Sequence, residues 1–377
     1  MSRSAPRVMA LILVPVVALC AAAAAVGAWR LHLKVPGGAV LRLADYFSMG
    51  WVGWDSGWYK LIAEQGYSYT PGVQSPVAFF PLYPLAIRAL MALGASVYSG
   101  GILVTLLCGP VAVVLFTAWA RTWVDERTAL QAGLLLALYP FSFYLYGVMY
   151  SDALFLLLVV SAFLLLEKGQ LVPAVILGAM ATAARPIAPA VVLGLLARRL
   201  EWKHARGERW TLLDLLPVLS GLGFACYVLY LRQKFGAPFA FVETQGAPGW
   251  DQAPGWNTWL KVHWFHVVFM EGNNAEVVLR YTSHALLAVI ALLLVRPTIR
   301  LLGWGYGLFI LAVVGLPAVG TKDFMGMGRY LIAAFPLFLT LALLLRERPR
   351  LRQAILAVSA VGVVLLSWAF GRELYIS

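Results

Sequence analysis

Long apolar runs recur from one end of this 377-residue chain to the other, parted by short polar gaps. They fall near 8–29, 89–120, 129–149, 153–166, 171–184, 187–197, 211–231, 277–295, 301–319, 330–345 and 354–370. In hydrocarbon each segment must satisfy its own backbone polar groups, so runs of this kind become helices. Charged residues make up 12% of the chain against 62% hydrophobic, and the mean hydropathy is +0.81. An ordinary soluble domain carries about 25% charged residues. A water-soluble core has no room for this much apolar surface. The reading is an all-α polytopic membrane protein, a bundle of about 11 transmembrane helices at roughly 20 residues each. No long polar segment stands apart, so one integrated membrane domain is expected over 1–377.

The formal charge of +12 does not indicate a nucleic-acid partner, because no soluble face gathers the Lys and Arg. Cys20, Cys108 and Cys226 lie in apolar runs without a C-x-x-C pair, which points to packing rather than metal or disulfide chemistry. The run from Val8 to Trp29, preceded by Arg3 and Arg7, is longer than a signal-peptide core and is read as an uncleaved first span. With the N-terminus inside, sixteen of the twenty-nine Lys and Arg fall in the short inner loops, the densest being "RRLEWKHARGERW" over 198–210. Such a bias sets orientation. Residues 30–88, 232–276, 320–329 and the Tyr150–Asp152 turn then share the outer side. That side collects Asp55, Glu64, Asp152, Glu243, Asp251 and Asp323, with Arg185, Lys322 and Arg329.

The first outer loop is unusual. "WDSGWYKLIAEQGY" over 54–67 has helical spacing, with Asp55 and Ser56 where an N-cap belongs. Its Trp and Tyr suit a short amphipathic helix in the membrane interface. "AFFPLYPL" follows over 78–85, and Pro81 and Pro84 argue against a regular helix there. Aromatic rings on an irregular backbone are expected, a surface suited to sugars or lipid chains. "AARP" over 183–186 reads as a broken or re-entrant turn between two short apolar runs. His263 and His266 in "KVHWFH" are three apart, but no D-x-D or H-x-x-x-H pattern supports a metal, and none is expected.

These elements together resemble the GPI mannosyltransferase II (PIG-V) family. The resemblance rests on W-D-S-G-W-Y-K-L-I-A-E-Q-G-Y with A-F-F-P-L-Y-P, on "YPFSFYLYGVMYSDALF" over 139–155, on "AARP", and on "MGRYLIAAFPLF" over 327–338. Asp152 stands where the family often has Glu, and the carboxylate is kept. The compact chain without an N-x-S/T sequon is similar to prokaryotic relatives, implying a plasma-membrane location.

The resemblance implies a GT-C glycosyltransferase. Such an enzyme uses a polyprenyl-phosphate sugar donor, needs no cofactor, and serves a lipid-linked or glycan acceptor on the non-cytoplasmic side. Asp55 corresponds to the acidic residue of the first outer loop, the candidate general base. A carboxylate within hydrogen-bond reach of an acceptor hydroxyl can take its proton as it attacks the anomeric carbon. The leaving lipid phosphate needs cationic stabilisation, and Arg185 and Arg329 at span ends suit bidentate contact. The candidate substrate contacts are Trp54, Tyr59, Glu64, Tyr67, Tyr83, Asp152, Arg185, Arg329 and Tyr330. Gln245 and Trp250, in the Gly/Pro-rich "FVETQGAPGWDQAPGW", are candidate sugar contacts. The alternative reading is a transporter or flippase of lipid-linked sugars. That class places ionisable residues mid-span on broken helices, whereas this chain keeps nearly all its carboxylates in loops.

Overall fold

The computed structural model describes residues 4–32 and 43–376, and no strand occurs among them. Arg3 and the stretch 33–42 of the first outer loop lie outside the described residues. The α-helices of seven or more residues run in the order α1 (Ala5–His32), α2 (Leu43–Met49), α3 (Ser56–Gln65), α4 (Leu82–Ala92), α5 (Val97–Ala120), α6 (Glu126–Ala137) and α7 (Asp152–Glu167). They continue as α8 (Leu171–Thr182), α9 (Ala188–Ala205), α10 (Leu222–Phe235), α11 (Ala275–Leu302), α12 (Trp304–Gly320), α13 (Pro336–Leu344) and α14 (Pro349–Gly371). Among the described residues five helices are long and apolar enough to cross a membrane: Ala5–Trp29, Val97–Ala120, Leu212–Phe235, Ala275–Leu302 and Pro349–Gly371. Leu82–Ala92, Leu171–Thr182 and Trp304–Gly320 are shorter apolar helices. The chain is an all-helical, multi-pass membrane protein.

Each apolar run becomes helix, with local departures that have causes. The run 89–120 is two helices, parted at Gly94, whose φ of 97° turns the chain. Ser96 then opens α5 by accepting a hydrogen bond from the Ser99 N–H. In 129–149 the α-helix stops at Ala137, and Pro140 opens a 3-10 turn over Pro140–Leu145. The run 211–231 starts as a 3-10 segment, Leu212–Gly221, and becomes α-helical from Leu222. The expected break at Arg185 and Pro186 separates α8 from α9. The expectation of irregular backbone over 78–85 fails from Leu82 onward. Pro84 lies in the first turn of α4, where a missing N–H costs no intrahelical bond.

The described residues group into two compact units. One comprises Met1–Glu64, Leu82–Glu167 and Phe338–Ile376. At its centre α5 packs against α7, α1, α4 and α6, and α1 packs along α14. Association within a bilayer depends on close packing, which small residues permit. A Cβ at Gly27 would meet the Trp368 carbonyl oxygen at 2.3 Å, and one at Gly371 would meet that of Ala24 at 2.2 Å. Gly27→Val and Gly371→Val are each expected to destabilise this unit by about 1–3 kcal/mol, the usual cost of overpacking. Thermal melts followed by size-exclusion chromatography measure this. Gly315→Ala, where a Cβ meets nothing within 4 Å, serves as the neutral control.

The second unit comprises Gln65–Pro81 and Lys168–Leu337. In it α12 lies along α9 and α11, and α8 and α9 pack on the 3-10 segment Leu212–Gly221. Glu201 on α9 caps α12, accepting from the Trp304 N–H at 2.5 Å and the Gly305 N–H at 3.2 Å. Arg198 closes the group at 2.8 Å. A carboxylate there satisfies first-turn N–H groups and complements the helix dipole. Several side chains of the basic cluster 198–210 have acidic or aromatic partners. Arg199 pairs with Asp214 at 2.7 Å, Lys203 with Glu208 at 2.8 Å, and the Arg206 guanidinium lies 3.6 Å from the Trp202 ring centroid.

Candidate active site

In the first unit, the turn before α3 is bound to the segment before α7. Trp51 is fully buried, and its carbonyl accepts from the Met149 N–H at 3.0 Å. Ser56 Oγ accepts from the Gly53 N–H at 3.2 Å and donates to the Met149 carbonyl at 3.4 Å. The Asp55 N–H donates to the Tyr150 hydroxyl at 3.1 Å, and the Tyr59 and Ser151 hydroxyls bond at 2.9 Å. From the other side, Thr105 on α5 donates to the Val148 carbonyl at 2.8 Å. Gly147 permits the join, because a Cβ there would meet the Trp51 ring at 2.7 Å. The "WDSGWY" and "YSD" elements therefore form one hydrogen-bonded pair of turns. Asp55 is half-buried on one turn, and Asp152 is buried on the other.

Trp54 precedes Asp55 with φ 51° and is 46% exposed. Left-handed backbone costs a non-glycine residue about 1–2 kcal/mol, so its surroundings must hold it there. Tyr375, from the chain beyond α14, meets it edge-on with ring centroids 5.0 Å apart. Phe370 packs beneath, 6.1 Å from Tyr150 and 6.0 Å from Tyr144. The extreme C-terminal segment thus contributes to the Asp55 turn. Phe370 and Tyr375 were not among the residues singled out by sequence, and Tyr150 and Ser151 entered only as part of the Tyr150–Asp152 turn. Only tertiary packing brings them there, although "YSD" itself was visible.

The other candidates of this unit are placed as follows. Tyr59 is buried and meets Tyr83 edge-on at 4.9 Å. Tyr83 is fully buried, donating to the Gly101 carbonyl at 2.8 Å, so it supports α3 from below. Glu64 pairs with Lys60 at 2.8 Å one turn away.

In the second unit the aromatic stretch after α3 is mostly core, contrary to the open surface expected. Val77, Phe80, Tyr227, Leu231, Ala240 and Phe241 form a buried cluster with Tyr67 and Tyr69 against it. Tyr67 donates to the Phe79 carbonyl at 2.7 Å, and Tyr69 to Glu243 at 2.6 Å. Burial, reinforced by Glu243, pushes the Tyr69 phenol up to about 12. The Trp250 ring lies 6.2 Å from Phe79, and the Gln245 carbonyl accepts from the Gln252 N–H at 2.8 Å. This ties the Gly/Pro-rich segment into a compact turn.

The same unit brings Arg185 and Arg329 to one aromatic ring. Their guanidinium carbons lie 5.7 Å and 5.5 Å from the centroid of Tyr330. Gly326, at φ 84°, leaves room for that ring, since a Cβ there would meet it at 2.9 Å. Nδ1 of buried His284 accepts from the Gly328 N–H at 3.1 Å and anchors the glycine-rich approach to α11. The ring quadrupole attracts a guanidinium placed near it, so Tyr330 is a common contact for the two arginines. Among the described residues no group of three or more His, Cys, Asp or Glu is gathered to hold a metal.

A family model described as "Mannosyltransferase (PIG-V)" matches residues 6–197, just over half of the chain. That span includes Asp55, Asp152 and Arg185, while Arg329 lies beyond it. A 164-residue stretch is 34% identical to GPI alpha-1,6-mannosyltransferase 2 of Homo sapiens, covering 40% of this chain and 32% of that protein. The chain thus matches about a third of that relative's length.

Proposed function

The chain belongs to the mannosyltransferase (PIG-V) family, and from that premise we propose that it is a membrane glycosyltransferase moving mannose from a polyprenyl-phosphate carrier to a lipid-linked or glycan acceptor. The observation that carries the reading is the Asp55 turn. A half-buried carboxylate stands on a strained, aromatic turn that Asp55 ties to Tyr150 and Ser56 ties to Met149 by hydrogen bonds. Asp55 acts as general base on the acceptor hydroxyl. The proton moves to its carboxylate as the oxygen bonds to the anomeric carbon and the carrier phosphate departs with the bonding electrons. In this reading Asp152 and Trp54 are assigned to acceptor contact, and Arg185, Arg329 and Tyr330 to contact with the carrier phosphate. Gln245 and Trp250 contact the donor sugar. The reaction belongs to the non-cytoplasmic face of the plasma membrane.

The test is transfer from radiolabelled polyprenyl-phosphate mannose by purified protein to a panel of lipid-linked and glycan acceptors. Labelled product that depends on both substrates supports the reading. Movement of the intact carrier lipid across a vesicle bilayer without bond cleavage would point to the transporter class instead.

The sidedness has its own test. Ser68 and Ala205 are both exposed. In a background lacking Cys20, Cys108 and Cys226, a cysteine at 68 is expected to react with an impermeant thiol reagent in intact cells. One at 205 should react only after permeabilisation. The reverse pattern would put the Asp55 turn on the cytoplasmic side.

A further inference from the structure

We propose that Lys261 is a third cation of the phosphate site, giving an ammonium contact to the phosphate of an isoprenoid-phosphate ligand. The inference deepens the proposed phosphate role of Arg185 and Arg329. It starts from a residue that neither hydropathy nor motif marks.

Lys261 is only 7% exposed and has φ 57°, left-handed backbone that non-glycine residues rarely adopt. Its ammonium donates to the Thr321 carbonyl and lies 5.3 Å from the Phe324 ring centroid. An ammonium carries three donors and no acceptor. Among the described residues Lys261 forms no ion pair, although the carboxylate of Asp323, a residue only 4% exposed, is near enough to act on it. Asp323 spends Oδ1 on the Met325 N–H at 2.9 Å. A largely buried ammonium with donors to spare suits an anion.

The position fits. Lys261 reaches the 321–329 loop, the loop that ends in Arg329. Both segments are pinned to one stretch of α11. Trp264 Nε1 donates to the Tyr281 carbonyl at 3.1 Å, and the Gly328 N–H donates to His284 at 3.1 Å. Asp323 from that loop acts on both Lys261 and Tyr281 of α11, and Tyr281 also has Arg280, Glu271 and His263 near it. Lys322, paired with Asp251 at 3.4 Å, closes the loop. Burial brings the Lys261 ammonium down to about 8, with Asp323 opposing the shift. The charged, anion-binding form is therefore lost as pH rises through about 8. A phosphate monoester is already dianionic there, since its second pKa is about 6.

The experiment uses the full chain in zwitterionic nanodiscs, with farnesyl phosphate, farnesol and inorganic phosphate as probes, from pH 6.5 to pH 9.5 by about half-unit steps. Binding is followed by phosphorus NMR, and by intrinsic fluorescence for farnesol. Wild type is expected to bind farnesyl phosphate more weakly above about pH 8. Lys261→Met should weaken it about tenfold or more at neutral pH and abolish the step, as expected for a lost charge-assisted hydrogen bond. Lys261→Arg stays protonated and should bind without the step, which keeps the test decisive if the Met variant does not fold. Farnesol binding should be unchanged by either variant. Farnesyl phosphate affinity and pH profile equal to wild type in Lys261→Met, with only a lower melting temperature, would make Lys261 a staple between loops and overturn the proposal. So would a step that persists in Lys261→Arg. Inorganic phosphate matching farnesyl phosphate in affinity would overturn the isoprenoid assignment. If Arg185→Lys and Arg329→Lys leave farnesyl phosphate binding intact while Lys261→Met loses it, the arginine reading fails and Lys261 stands alone.

Discussion

Asp55→Asn is expected to lower turnover by about 10²–10⁴-fold, the contribution of a positioned general base. The substitution is nearly isosteric. The Asp55 main chain also anchors the turn by itself: its N–H donates to Tyr150, and its carbonyl accepts from the Trp58 and Tyr59 N–H groups at 3.1 Å and 3.3 Å. Those bonds use only the main chain, and Asn keeps one side-chain acceptor oxygen, so the loss of rate should exceed any loss of stability. Substrate affinity should change less than turnover, because the proton transfer belongs to the transition state. Initial rates over both substrates, with a melt on the same preparation, check this. Turnover near wild type would leave Asp55 as the residue that merely opens α3. Asp152→Asn gives a useful contrast. That carboxylate is buried at the start of α7, so its loss should lower stability as well as rate.

The parts of this protein that could be read in its sequence are those set by local physics. Apolar runs near bilayer length become helices wherever they occur, and the break at Arg185 and Pro186 follows from proline's missing N–H. The same rule misleads at Pro84, because its cost depends on where in a helix the residue falls, and α4 begins two residues before it. The Asp55 turn was visible because its residues are contiguous. Its partners were not. Tyr150 and Tyr375 lie far along the chain and arrive only through packing. Phe80 and Tyr83 read as exposed aromatics from their interfacial company, but both rings fill core. A ring next to proline looks the same in sequence whether it faces lipid, sugar or another ring. Lys261 left no mark at all, since neither its backbone conformation nor its burial has a compositional signature.

Arg329→Ala is expected to slow transfer by about 10²–10³-fold, the usual loss when one donor to a developing negative charge is removed. Charge alone does not explain the residue. A guanidinium offers a planar fork of donors that also lies against an aromatic face, and an ammonium has neither property. Arg329→Lys should therefore recover only part of the rate even though the net charge is restored. Arg185→Lys should behave alike, because both side chains meet the same Tyr330 ring. Tyr330→Leu separates the two effects: it removes the shared platform without touching either charge, and it should cost less than either alanine variant. Each defect should be larger in kcat/KM for the carrier than for the acceptor, since the phosphate belongs to the carrier. Lysine variants as active as wild type would mean that the guanidiniums simply cover the ring at a span end, as interfacial arginines often do. The phosphate would then have to be held elsewhere in the molecule, and Lys261 would become the first place to look.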